Sequence, residues 1–191
     1  MHRVRFVNAL FSTAIAVIAF GCHSPSSFRV TSYKDPYFPE TYAVQFSPAA
    51  YRVGPDGDVH IAGKSATASR DRGDIRQWIY VHGFWRPRPG KTFANSTATD
   101  CTLRYVIASP GGTAVYEGTG FIYPLKPTNG QALVARVESA SLRLVRKIGE
   151  PSEILGDSRL VGDFQAAPDA AQAVDLQREA EIRAARAVAA N

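Results

Sequence analysis

Cysteine is scarce: Cys22 and Cys101 are the only two in 191 residues. A disulfide-stapled scaffold is thereby excluded, and a hydrophobic core must hold the fold. Recognisable chemical motifs are missing too. There is no His-Glu-x-x-His, Cys-x-x-Cys, Gly-x-Ser-x-Gly, phosphate-binding Walker loop or Gly-x-Gly-x-x-Gly. The longest apolar stretch, Phe6–Phe20, is 15 residues broken by Asn8, Ser12 and Thr13; a membrane-spanning helix needs roughly 20. The net charge of +5 is modest, and without clustered Lys/Arg or a nucleic-acid motif it excludes nucleic acid as the expected partner.

What is present begins at the N-terminus. Arg3 and Arg5 form a basic head, Phe6–Phe20 an apolar segment, and Gly21-Cys22 a small residue before a cysteine. His23-Ser24-Pro25-Ser26-Ser27 then breaks any helix. The segment resembles the export signal of bacterial lipoproteins. Gly21 and Cys22 match that pattern, whereas Ala19 and Phe20 stand where it usually carries Leu and a small or β-branched residue. The resemblance implies cleavage before Cys22, lipid attachment to Cys22, and a membrane-anchored protein of the cell envelope. His23 is not the acidic residue linked to inner-membrane retention, so it implies the outer membrane, facing the periplasm. An ordinary secreted protein cut near Gly21, and an uncleaved N-terminal anchor, are the alternatives. Removing Arg3 and Arg5 from 22 basic residues leaves 20 against 17 acidic, a net of +3.

Behind the signal (1–21), residues 22–40 read as a Ser-, Pro- and aromatic-rich tether, expected to order against the domain because Tyr33, Tyr37 and Phe38 would otherwise be exposed. Residues 41–166 read as one β domain. Strands are predicted around Tyr42–Phe46, Val59–Lys64, Gln77–Trp85, Cys101–Ser109, Thr113–Tyr123, Gln131–Val145 and Arg159–Phe164. Gly54-Pro55-Asp56-Gly57-Asp58 and Pro110-Gly111-Gly112 read as turns, and Gly118 and Gly120 as a bulge or close backbone approach. Gln77–Trp85 is apolar on both faces, the mark of a strand covered on both sides. About seven strands without helical crossovers predict an all-β fold, an antiparallel β-sandwich of immunoglobulin-like architecture, with a small barrel as the other solution. Residues 167–191 read as a C-terminal α-helix capped by Asp169. Its larger apolar residues, Val174, Leu176, Ile182 and Val188, form no single stripe, which predicts loose attachment.

The candidate chemistry is thin. Cys101 alternates with Leu103, Tyr105 and Ile107, which predicts a buried inert thiol. His60 and His82 lie in predicted strands without Cys or carboxylate at a recognised ligand spacing, so neither a metal nor a cofactor is expected and no catalytic residue is assigned. Asp56-Gly57-Asp58 resembles the start of a calcium loop but lacks its later ligands. The most distinctive surface segment is Phe84–Lys91, where Trp85, Arg86, Arg88 and Lys91 combine a ring face with cations suited to a glycan or a protein partner. The leading expectation is therefore a lipid-anchored, non-enzymatic binding or structural module. The alternative is an envelope hydrolase whose site forms only in three dimensions around His60 or His82; it requires one of them near a carboxylate in a concave pocket, and convergence of both with Asp56 or Asp58 at an open mouth would favour it.

Overall fold

The structure, a computed structural model, describes residues 25–69, 73–84, 99–125, 131–151 and 155–185. Nine strands follow one another: β1 (Ser26–Ser32), β2 (Glu40–Phe46), β3 (Ala49–Val53), β4 (Val59–Ser69), β5 (Gly73–Gly83), β6 (Cys101–Ser109), β7 (Gly112–Pro124), β8 (Leu133–Gly149) and β9 (Ser158–Ala166). The helix α1 (Ala170–Ala185) closes the described chain. All nine strands belong to one sheet, ordered β2-β1-β9-β8-β7-β6-β5-β4-β3. The all-β, antiparallel expectation is met and each of the seven expected strands is present. Where two packed sheets were expected, however, there is one sheet curled into a half-barrel.

Two strands escaped the sequence reading. Ser26–Ser32 lies in the segment read as tether, yet Ser26, Phe28, Val30 and Ser32 alternate inward and the strand sits between β2 and β9. Ala49–Val53 is short and follows Pro48, which hid it. The curl brings β3 back to the end of β9. Tyr51 N donates to Ala167 O at 2.8 Å and Ala167 N to Ala49 O at 2.9 Å, around a parallel bridge between Ala50 and Ala167. Register shifts at Val115/Tyr116 and Phe121/Ile122 supply the irregularities that bend the β7–β8 ribbon. Nearby, a Cβ on Gly118 would stand 1.7 Å from Ser141 O, so glycine is required there by close approach.

The concave face is filled with side chains. Phe28 packs edge-on against Phe164 (ring centroids 4.6 Å apart) and Phe46 (5.6 Å), and Phe46 against Tyr105 (6.2 Å). Each such pair contributes about 0.5–1.5 kcal/mol beyond its burial. Cys101 is fully buried in this core, and burial pushes its thiol up to about 12, as expected of an inert packing residue.

The convex face carries α1, and here the expectation of a loose helix is corrected. Ala173, Leu176, Ala180 and Ala184 recur every three or four residues and are all buried. Ala173 and Leu176 pack on Ala50 and Ala62; Ala180 and Ala184 pack on Trp78, Val106 and Val115. A stripe of alanines is weakly hydrophobic, so it hardly registers as amphipathic, but it lets the helix lie close on the sheet. Asp169 caps the helix as expected, its Oδ1 accepting from Gln172 N at 2.9 Å. At the other end Arg146 donates to Ala184 O at 2.9 Å. Between them Glu179 accepts from Lys64 Nζ at 2.7 Å and from Trp78 Nε1 at 3.1 Å. Trp78, buried under the helix while Ile79 and Val81 face the core, explains why Gln77–Trp85 reads as apolar on both sides.

The aromatic loop 33–39 also departs from expectation. Tyr37 is 86% and Phe38 76% exposed. The loop is organised locally instead, with Asp35 Oδ1 accepting from the backbone N–H groups of Tyr37 and Phe38.

Candidate functional site

The β3–β4 turn starts the site. Gly54 N donates to Asp58 O at 2.8 Å and Gly57 N to Gly54 O at 3.0 Å, with Gly57 in the left-handed region (φ 83°). This places Asp58 at the mouth of β4, on the convex face. Period-two alternation then puts His60 on that same face, while Val59 and Ile61 enter the core. On β5 the same alternation brings Tyr80 and His82 to the convex face. The β4–β5 register sets His60 directly opposite His82 and Ala62 opposite Tyr80.

The result is a compact constellation. The two imidazoles stack face to face, centroids 4.4 Å apart and 6° from parallel. One oxygen of Asp58, Oδ2, lies 2.6 Å from His82 Nε2 and 3.0 Å from His60 Nε2. His60 Nδ1 meets the Tyr80 hydroxyl at 2.7 Å. These bonds are all satisfied when both Nε2 atoms carry protons donated to Asp58 and Tyr80 donates to His60 Nδ1. Phe84 stands edge-on to His82 at 5.0 Å and is itself exposed. The three side chains are neither sealed nor free: exposure is 13% for His60, 29% for His82 and 22% for Asp58.

The electrostatics follow from this packing. The hydrogen bond from His82 holds Asp58 below the ordinary carboxylate range, against partial desolvation, and the His60 and His82 charges add to the lowering. Burial lowers His60, helped by the neighbouring Arg52 guanidinium and opposed by Asp58. Burial raises Tyr80. The imidazoles hydrogen-bond to the Asp58 carboxylate and to the Tyr80 hydroxyl. The donor atoms of Asp58, His60 and His82 lie within 4.8 Å of one another, a spacing one metal ion can bridge.

Sequence reasoning assigned no metal ligand among these residues and raised the convergence of the histidines with Asp56 or Asp58 only in connection with the hydrolase alternative. The missing element was register. Asp58-x-His60 places a carboxylate and an imidazole on one strand face, a signal visible in the sequence. His82 joins them only because β4 and β5 pair so that partner numbers sum to 142, from Ser69↔Gly73 down to Val59↔Gly83. Asp56 is exposed, and Asp58 turns toward the histidines. Cys22, Trp85, Arg86, Arg88 and Lys91 lie outside the described residues. Comparison with known proteins finds no family model, no curated protein and no solved structure that matches the chain.

Proposed function

We propose that the chain is a lipid-anchored, non-enzymatic binding module of the bacterial cell envelope, held at the outer membrane and facing the periplasm. The observation that carries the binding-module reading is where the polar chemistry sits. The concave face is packed with aromatic and aliphatic side chains, and its mouth between β2 and β5–β6, lined by Val30, Tyr42, Ile75 and Tyr105, encloses about 150 Å³. Small-molecule sites usually need roughly 300 Å³ or more. Function is therefore assigned to the convex surface, where Asp58, His60, His82 and Tyr80 converge; the Trp85, Arg86, Arg88 and Lys91 segment follows β5 in the sequence. The anchor reading rests on the lipoprotein-type segment ending at Cys22. Three residues separate Cys22 from the first strand residue, Ser26, and the four Cα steps between them span at most roughly 14 Å of chain. The sheet would then be held against the headgroups.

Mass spectrometry of the mature N-terminus from a membrane fraction tests the anchor. An acylated Cys22 is expected; an unmodified terminus starting elsewhere overturns it. Affinity capture from envelope fractions with wild type, Trp85→Ala and Arg88→Ala tests the second surface. Equal recovery of glycan and protein from all three would eliminate it.

The convergence of His60 and His82 on Asp58 favours a second reading, an envelope hydrolase in which an imidazole acts as general base on a water. Turnover of glycan or ester substrates that disappears in His82→Ala but survives in Trp85→Ala would establish it.

A further inference from the structure

We infer that Asp58, His60 and His82 form a binding site for one divalent late first-row transition-metal ion, with zinc as its simplest occupant. This stands on the geometry of the cluster and does not depend on the membrane anchor.

Four observations converge on it. The donor set is two imidazole nitrogens and one carboxylate oxygen, which suits zinc and its late first-row neighbours rather than calcium or magnesium. The donor atoms are already gathered, with Asp58 Oδ2 2.6 and 3.0 Å from the two Nε2 atoms. Ligands around a tetrahedral zinc sit roughly 3.3 Å apart, so Asp58 Oδ2 need withdraw from each Nε2 by less than about 1 Å. The imidazoles are also held side by side. They are directly opposed on a continuous ladder, and His60 is fixed through its other nitrogen by Tyr80; because a metal lies in the plane of each ligating ring, the two near-parallel rings tilt toward each other to share the ion. On metal binding the single His60 proton moves through solvent from Nε2 to Nδ1, freeing Nε2 for the ion, and Nδ1–H then donates to the Tyr80 oxygen, the arrangement that fixes a metal-bound histidine. Finally, Gly54 keeps the floor open. A Cβ there would stand 2.0 Å from Asp58 Oδ1 and 3.3 Å from His60 Nε2.

Charge points the same way, with one opposing group. Two neutral imidazoles and a carboxylate give the cluster a charge of −1, while Arg52, opposite His60 across the β3–β4 pair, disfavours a cation. Arg52 shares its edge with Gln177 of α1, and its positive charge beside a metal would favour an anionic or hydroxide donor in the position the protein leaves open. Three protein ligands leave such a position, the pattern of sites that present a metal to an outside ligand rather than bury it.

The test is zinc titration of the full-length protein by calorimetry, alongside His82→Ala, Asp58→Asn and Tyr80→Phe. One equivalent is expected in the wild type. His82→Ala and Asp58→Asn should weaken binding by more than 100-fold, and Tyr80→Phe by roughly tenfold, as befits an outer partner. Cys22 and His23 can also attract zinc, so unchanged affinity in His82→Ala and Asp58→Asn overturns the inference, as does an absence of binding. Should a variant fail to fold, cobalt(II) added to the wild type decides. Paramagnetic broadening of the His60 and His82 ring signals supports the site, and broadening confined to other residues overturns it.

Discussion

Gly54 lies beneath Asp58, and the carboxylate occupies the volume a side chain at position 54 would need, with Asp58 Oδ1 2.0 Å from where the Cβ would be. The clash is with the mobile end of a side chain, not with backbone, and Gly54 is not in a left-handed conformation. Gly54→Ala should therefore cost the fold little, under about 1 kcal/mol, while pushing Asp58 away from His82. The expected outcome is an unchanged denaturation midpoint with zinc affinity reduced at least tenfold. A large loss of stability with unaltered zinc affinity would show that Gly54 serves the turn alone.

The alanine stripe of α1 makes the opposite kind of prediction. Ala180 is 2% exposed and packs on Trp78, Val106 and Val115. Ala180→Leu should overpack this seam and destabilise the protein by about 1–3 kcal/mol. Val174, 38% exposed on the same helix, should tolerate Ala within about 0.5 kcal/mol. Chemical denaturation of both variants checks the pair. Equal midpoints would mean that the helix contributes no specific packing.

How much of this was legible beforehand depended on whether the signal was local. Cys101–Ser109 alternates cleanly and folds as the strand β6 with the bounds read from the sequence. Asp169 capped its helix because capping needs only the next three residues. The curl was not legible. It depends on Ala167 meeting β3 across more than 110 residues of chain, and no period in the sequence encodes that. Phe28 and Val30 alternated inward in plain view, but Ser and Pro neighbours made the segment read as tether. The candidate site was half visible: Asp58 and His60 share a strand face by spacing alone, whereas His82 required the β4–β5 register. Loose helix docking was inferred because Val174, Leu176, Ile182 and Val188 form no single stripe, yet the helix docks through Ala173, Leu176, Ala180 and Ala184, a stripe of mostly small residues that allows close approach to the sheet.

Cys101 offers a direct check on the core. It is 0% exposed and its thiol is pushed up to about 12 by burial and by nearby Asp100. Thiolate is the reactive form, so a maleimide or iodoacetamide should leave Cys101 unlabelled in the native protein at pH 8 and label it fully in denaturant. Peptide mapping by mass spectrometry separates Cys101 from Cys22. Rapid native labelling of Cys101 would show that the β5–β6–β7 wall opens.

Glu179 couples α1 to the sheet in a pH-dependent way. The hydrogen bond from Lys64 chiefly holds its carboxyl below 4.5, with Trp78 Nε1 adding to the effect and partial burial opposing it. A carboxyl lowered in the folded state contributes stability that is present above its unfolded value and lost as pH falls through its folded one. Glu179 and Lys64 are 47% and 33% exposed, so solvent screening limits the contribution to about 0.5–1 kcal/mol. Glu179→Gln should cost that much at pH 7, and the difference from wild type should shrink as the pH is taken from 4.5 toward 3. The Trp78 indole reports the same event, because protonating Glu179 weakens the charge-assisted bond at Nε1 and should shift its fluorescence over that interval. A wild-type and Glu179→Gln pair whose stabilities run parallel from pH 7 to pH 3 would show that the Lys64–Glu179–Trp78 contact does not clamp the helix.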